Sequence, residues 1–186
     1  GQERGIAPIS SEQNKMLRQA KALRKNGLIE ESTNLYYNIF NNHPYLYEAF
    51  YPLKSILKDK EKWDSLNQVA DQYIIANNNN VKSKVDAFEI YLWSENNKWK
   101  VILEEFIHIF PKNKNDTRKL LSLMLNNNML LEVKNSVNIL RVKEIDFFSL
   151  DLGLHYSITM SIEESLKEFF NYLKHNPNKK AFIFNR

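Results

Sequence analysis

Residues 152–177, LGLHYSITMSIEESLKEFFNYLKHNP, are the stretch of the chain that decides its fold. Within it, Phe169 and Tyr172 follow Ile162 at distances of seven and ten residues. These distances are close to two and three turns of an α-helix, so the three side chains share one helix face. A polar run separates this helix from an earlier apolar stretch that ends at Tyr156. The segment therefore predicts two helices joined by a short turn.

The same spacing occurs five times along the chain. The five sets are Ile29, Tyr36 and Ile39; Trp63, Ala70 and Tyr73; Trp99, Phe106 and Ile109; Leu130, Val137 and Leu140; and Ile162, Phe169 and Tyr172. Their first residues are 34, 36, 31 and 32 residues apart, which is the length of one helix-turn-helix repeat. A polar break precedes each set, and Gly27 and the asparagine runs suit left-handed residues at helix C-termini.

This repetition predicts an all-α fold, an α-α superhelix (solenoid) of about five antiparallel helical hairpins. The predicted repeats cover residues 13–46, 47–82, 83–113, 114–145 and 146–178. Residues 1–12 are predicted to form a loose N-terminal segment. Residues 179–186, which include Ala-Phe-Ile-Phe, are predicted to form a tail or the start of a capping helix.

One proline conflicts with this pattern. Pro52 falls inside the first helix of the second repeat, where it removes a backbone hydrogen bond and favours a kink. We therefore expect that helix to begin late, near Tyr51.

The last repeat resembles the tetratricopeptide repeat family, which combines Leu-Gly and Tyr in the first helix with a small residue, an aromatic and a proline in the second. The matching residues are Leu152, Gly153, Tyr156, Ser165, Phe169 and Pro177, and in the first repeat Gly27, Ser32, Tyr36 and Pro44. Repeats two to four depart from the pattern, with Leu66, Ile102 and Val133 at the small position. The resemblance covers residues 13–178 and implies a right-handed superhelix that binds other proteins.

The composition limits the classes of function. The 186 residues contain no cysteine, which excludes disulfide frameworks, thiolate zinc sites and cysteine nucleophiles. The formal net charge is +4, and acidic and basic residues alternate without long blocks, as on a solvated surface. No apolar run is long enough to predict a membrane span. The start Gly-Gln-Glu-Arg leaves the compartment open between the cytoplasm and export followed by signal-peptide removal.

No catalytic, cofactor-binding or metal-binding site is predicted, so we expect no enzyme activity. The four histidines are not spaced as a metal-binding pair on one helix. Three carboxylate pairs, Glu30-Glu31, Glu104-Glu105 and Glu163-Glu164, are expected near the start of second helices, where they favour the helix dipole.

In solenoids of this family the first helix of each repeat lines a concave groove, so the resemblance implies a set of groove residues. These are Leu17, Lys21, Arg24, Tyr51, Ser55, Lys58, Tyr91, Arg118, Ser122 and Leu154, with Ala87 and Leu150 beside them. The predicted groove is apolar and aromatic, with basic residues in its first half. Tyr51 and Tyr91 replace polar residues of the clamp by which some family members hold a terminal carboxylate.

The predicted function is a protein–protein interaction scaffold that binds a peptide or protein segment in this groove, without catalysis. An extended or helical apolar-acidic segment fits the groove's composition. The alternative is an RNA-binding module of the pentatricopeptide kind, which reads bases through repeated polar positions. The groove positions here do not repeat a polar pair, and the net charge is small, so nucleic acid is the less favoured partner.

Overall fold

The computed structural model describes residues 10–181, which form ten α-helices and a short 3-10 turn, without a strand. The helices are α1 (Ser11–Lys25), α2 (Ile29–Asn42), α3 (Tyr47–Asp59), α4 (Trp63–Ala76), α5 (Val81–Trp93), α6 (Lys98–Ile109), α7 (Lys114–Asn126), α8 (Leu130–Leu140), α9 (Ser149–Ile158) and α10 (Ile162–His175). The 3-10 turn covers Pro177–Lys179. This architecture confirms the predicted all-α fold of consecutive helical hairpins.

The chain divides into two compact units, residues 1–97 and 98–186. In the N-terminal unit, each of the helices α1 to α5 packs on the next one along the chain. In the C-terminal unit, α6 packs on α7 and α8, α7 packs on α8, and α9 packs on α10. Short-range packing of this kind is typical of helical repeats, in which each hairpin contacts its sequence neighbours.

The turn inside each hairpin has the same backbone geometry. The second residue after the first helix has a positive φ in every case, at Gly27, Glu61, Glu95, Asn128 and Met160. The amide of the next residue donates to the carbonyl five residues earlier, as when Leu28 donates to Leu23 and Ser161 donates to Tyr156. This pairing is the Schellman motif, which ends a helix and reverses the chain. The repeat is therefore visible in the backbone even where its side chains have diverged.

The five apolar sets begin the second helices, as their spacing predicts. Ile29, Trp63, Leu130 and Ile162 are the first residues of α2, α4, α8 and α10, and Trp99 is the second residue of α6. Most of the later members are buried, including Tyr36, Ile39, Ala70, Tyr73, Phe106, Val137 and Leu140. In α10 the packing is looser, since Ile162 is 67% exposed and Phe169 is half-buried.

Pro52 does not delay the start of its helix, so that expectation is wrong. Helix α3 begins at Tyr47 and contains Pro52 at its sixth position. The turn before the proline buries Ala49 and Phe50 completely. Burial of this apolar face compensates for the hydrogen bond that Pro52 cannot donate to the carbonyl of Glu48.

The ends of the predicted segments shift slightly in the structure. Helix α1 begins at Ser11, and the Ser10 hydroxyl accepts the amide of Gln13 in a capping box. The predicted loose segment 1–12 thus overlaps the first two helical residues. Residues 1–9 and 182–186 lie outside the described part of the chain, and with them most of the predicted tail or capping helix.

The carboxylate pairs follow the prediction at two of three places. Glu30-Glu31 and Glu163-Glu164 lie in the first turns of α2 and α10, where the helix dipole stabilises negative charge. Glu104-Glu105 lies in the middle of α6, whose first turn contains no acidic residue. For this pair the prediction is wrong, because α6 starts several residues before it.

Two serines join the helices of the first and last hairpins in the same way. The Ser32 hydroxyl donates to the carbonyl of Ala20 at 2.8 Å, and the Ser165 hydroxyl donates to the carbonyl of Gly153 at 2.9 Å. All four residues are buried. The small residue expected in the second helix thus lies close enough to the first helix for its hydroxyl to donate to a backbone carbonyl.

Replacing Gly153 by alanine should lower the free energy of unfolding by about 1–3 kcal/mol, because the added methyl overpacks the hairpin. A Cβ at this position would lie 2.6 Å from the ring of Phe169. Chemical denaturation followed by circular dichroism measures the change, with Ser157→Ala as an exposed control in the same helix. An increase in stability, as for an ordinary helical glycine, would contradict this close contact.

Candidate partner-binding cleft

An open cleft lies between α1 and α3 in the N-terminal unit and has a volume of about 730 Å³. Its floor includes Tyr36 from α2. Its walls come from Asn14, Leu17, Arg18, Lys21, Arg24 and Lys25 of α1 and from Tyr47, Glu48, Tyr51 and Pro52 of α3. The volume falls in the range of about 300–1,000 Å³ that is usual for ligand sites. We call this site the α1–α3 cleft.

Two tyrosines form the aromatic wall of the α1–α3 cleft. The rings of Tyr47 and Tyr51 lie 5.6 Å apart at an angle of 32°, and the two residues are 40% and 55% exposed. They are one helical turn apart, so the backbone of α3 holds the pair on one face. Burial raises the pKa of the Tyr47 hydroxyl, and the carboxylate of Asp86 raises it further. Tyr47 is therefore a neutral donor at physiological pH, and the pair presents a large aromatic surface to solvent.

The opposite wall of the cleft is basic. Arg18, Lys21 and Lys25 are exposed on α1, and none of them forms an ion pair within residues 10–181. Glu48 is the single acidic residue among those that line the cleft. The cleft therefore combines uncompensated positive charge with aromatic surface.

One hydrogen bond joins the two walls. A guanidinium nitrogen of Arg24 donates to the Ser55 hydroxyl at 2.9 Å, and this bond connects the C-terminal part of α1 to α3. The positive charge of Arg24 also partly offsets the effect of burial on the pKa of Tyr36. This hydrogen bond fixes the Arg24 side chain at the junction of the two helices.

Four of the ten predicted groove residues line this cleft, namely Leu17, Lys21, Arg24 and Tyr51. Ser55 lies at its end as the partner of Arg24. Lys58 is elsewhere on the same helix, and its ammonium lies 3.8 Å from the centre of the Trp93 ring. The prediction therefore placed several residues of one wall and one residue of the other in a common site.

Tyr91 does not belong to an exposed groove. It is 1% exposed, and its hydroxyl donates to the carboxylate of Asp71 at 2.7 Å. Burial, followed by this hydrogen bond, raises the pKa of the hydroxyl. Ala87, on the same helix, is also fully buried. Helix α5 thus contributes these residues to the core of the N-terminal unit and offers neither of them to a partner.

The remaining predicted residues lie in the C-terminal unit and do not form a comparable surface. Arg118 is paired with the carboxylate of Asp151 at 2.9 Å, and the Ser122 hydroxyl donates to the carbonyl of Arg118. Leu154 and Leu150 are half-buried. A pocket of about 220 Å³ in this unit is lined by the carboxylates of Glu144, Asp146 and Asp151 and by the basic side chains of Lys114 and Arg118. Of the predicted groove residues, Arg118 and Leu150 line this pocket, and Ser122 and Leu154 do not.

The sequence prediction missed Arg18, Lys25 and Tyr47 in the α1–α3 cleft. The signal for the two basic residues was present, since α1 contains five bases and one acid, Glu12. Tyr47 lies one turn before the predicted Tyr51 and so on the same face. We placed it before the helix because of Pro52, which removed it from consideration.

Comparison with known proteins does not assign this chain to a family. No family model matches the chain, and no curated protein matches it significantly. Among residues 10–181, no helix is both long and apolar enough to cross a membrane. The same residues contain no group of three acidic, histidine or cysteine side chains placed to hold a metal ion.

Proposed function

We propose that this chain is an interaction module of the tetratricopeptide kind, which binds a segment of another protein in the α1–α3 cleft and catalyses no reaction. The observation that carries the proposal is the cleft itself. It has a volume of about 730 Å³ and lies between two helices, beside two exposed tyrosines. Large aromatic side chains at the centre of a concave surface are frequent anchors in protein interfaces.

The construction of the cleft supports binding of a protein segment. Tyr51 lies on the same helix as fully buried Phe50 and Leu53, so packing of the core fixes the direction of its side chain. The Arg24–Ser55 hydrogen bond holds α1 beside α3. A ligand that enters such a site does not have to order the helix backbones, which favours affinity.

The tyrosines with raised pKa do not suggest catalysis. The hydroxyls of Tyr73 and Tyr91 donate to the carboxylates of Asp86 and Asp71 inside the helical packing. Burial is the main cause of the raised pKa in both residues. A buried, protonated tyrosine bonded to a carboxylate is a structural donor, so we assign these two pairs to stability.

RNA remains the alternative partner, because exposed tyrosines beside basic side chains without ion-pair partners also suit single-stranded nucleic acid. One observation favours protein. In the C-terminal unit the corresponding first-helix base, Arg118, is neutralised by Asp151, so the basic surface does not recur along the repeats.

Selection from a random peptide library displayed on phage tests the proposal. Peptides enriched on the wild-type chain should lose at least tenfold in affinity when Tyr51 is replaced by alanine. Phe170→Ala is the matched control, since Phe170 is 63% exposed but lies in the other unit, and it should leave affinity unchanged. If no enriched peptide depends on Tyr51, or if single-stranded RNA alone binds in a Tyr51-dependent way, the proposal is wrong.

A further inference from the structure

We infer that the segment bound in the α1–α3 cleft is acidic: its side-chain carboxylates pair with Arg18, Lys21 and Lys25, while an aromatic or aliphatic side chain packs on Tyr51. This inference rests on the proposed function and specifies the partner by its chemistry.

One basic residue on α3 and one on α7 form ion pairs with a carboxylate on the next first helix. Lys54 of α3 forms an ion pair with Glu89 of α5, 35 residues later, and Arg118 of α7 pairs with Asp151 of α9, 33 residues later. Both carboxylates belong to the same compact unit as their base. Such pairs neutralise the surface between successive first helices.

On α1 this arrangement is missing. The residue 33 positions after Arg18 is Tyr51, which presents an aromatic ring in place of a carboxylate. Arg24 finds only the neutral hydroxyl of Ser55, 31 residues later. Helix α1 thus forms no ion pair of this kind with α3, and its positive charge faces an open cavity. A carboxylate-bearing ligand supplies the charge that α3 lacks.

The three bases form one row along the cleft. Arg18, Lys21 and Lys25 are separated by three and four residues, so they lie on one helix face with a total rise of about 10 Å. Tyr51 lies across the cleft from this row. A peptide of about four residues in extended form covers the same distance. We therefore expect two or three acidic residues around one apolar residue to fill the site.

Fluorescence anisotropy with three labelled peptides tests this inference. The first peptide alternates glutamate with phenylalanine, the second replaces every glutamate by lysine, and the third replaces every phenylalanine by serine. The first should bind at least tenfold more tightly than either of the others. Its affinity should also fall about tenfold when the salt concentration rises from about 0.05 M to about 0.5 M, because salt screens exposed charges.

Two charge-reversal variants locate the effect. Lys21→Glu should weaken binding of the acidic peptide at least tenfold, which corresponds to about 1.4 kcal/mol. Lys134→Glu makes the same change at an exposed, unpaired lysine of α8 and should alter affinity by less than twofold. Circular dichroism of both variants checks that each is folded.

The outcomes separate this inference from the proposed function. If phage-selected peptides require Tyr51 but are neutral or basic, the acidic partner is wrong and the binding module stands. If no peptide requires Tyr51, both fail. Equal loss of acidic-peptide affinity in Lys21→Glu and Lys134→Glu would show that net charge, and not the cleft, attracts the peptide, and would overturn the inference. Lys21-dependent binding of single-stranded RNA alone would overturn it in favour of nucleic acid.

Discussion

Replacing Phe50 by alanine should lower the free energy of unfolding by about 3–5 kcal/mol. Phe50 is fully buried in α3, and its ring stacks on that of Tyr73 with centres 4.0 Å apart and an angle of 11° between the planes. Removing it leaves a cavity between α3 and α4 and also takes away the ring contact. Denaturant unfolding followed by circular dichroism measures the loss.

The adjacent residue is the control for this prediction. Tyr51→Ala changes an aromatic in the same helix, but Tyr51 is 55% exposed and lies in the α1–α3 cleft. Its unfolding free energy should change by less than about 1 kcal/mol, while its peptide binding is lost. If Tyr51→Ala destabilised the chain as much as Phe50→Ala, the tyrosine would be part of the core, and loss of binding could not be assigned to the cleft.

The positions of the helices are the part of the fold that the sequence could predict. Spacings of seven and ten residues place side chains on one helix face whatever the neighbouring helices are. Together with the polar break before each set, they predict α2, α4, α8 and α10. The left-handed turn positions are harder to predict, because Glu61, Glu95 and Met160 replace the glycine found at Gly27. In those turns the local sequence does not identify the left-handed residue.

Exposure was harder to predict than helix position. We placed Tyr91 in the groove by analogy between repeats, but α5 buries Ala87 and Phe88 as well as the three consecutive residues Ile90, Tyr91 and Leu92. A helix buried on most of its circumference has no single exposed stripe from which a groove position can be inferred. Tyr51 of α3 is exposed, by contrast, because α3 faces the cleft.

The character of the cleft also depends on partners that are distant in sequence. The excess of bases on α1 is visible in its sequence, yet the chain contains similar bases whose charge is neutralised. Arg118 is paired with Asp151, 33 residues later, whereas Arg18 lines the cleft with the aromatic Tyr51, which is also 33 residues later. Only the packed structure shows which of these residues meet.

The second large effect is expected in the C-terminal unit, where Arg141→Ala should lower the free energy of unfolding by about 3–5 kcal/mol. Arg141 follows α8 and donates to both carboxylate oxygens of Glu168, at 3.0 and 2.5 Å. It also donates to the carbonyl of Phe147 at 3.0 Å and to the Ser149 hydroxyl at 2.7 Å. The side chains of Arg141 and Glu168 are only 20% and 16% exposed, so the variant leaves a largely buried carboxylate without its cation.

Two further variants distinguish this network from an ordinary ion pair. Arg118→Ala removes an arginine whose side chain is 48% exposed. It should lower the free energy of unfolding by only about 0–1 kcal/mol, because solvent screens the ion pair of Arg118 with Asp151. The double variant Arg141→Met/Glu168→Leu removes both buried charges and should recover much of the stability lost in Arg141→Ala. Equal losses for Arg118→Ala and Arg141→Ala in denaturant unfolding would contradict the special role of Arg141. If the double variant recovered nothing, the contacts of Arg141 with Phe147 and Ser149 would account for the loss of stability. Helix α10 would then be held chiefly by the segment between α8 and α9.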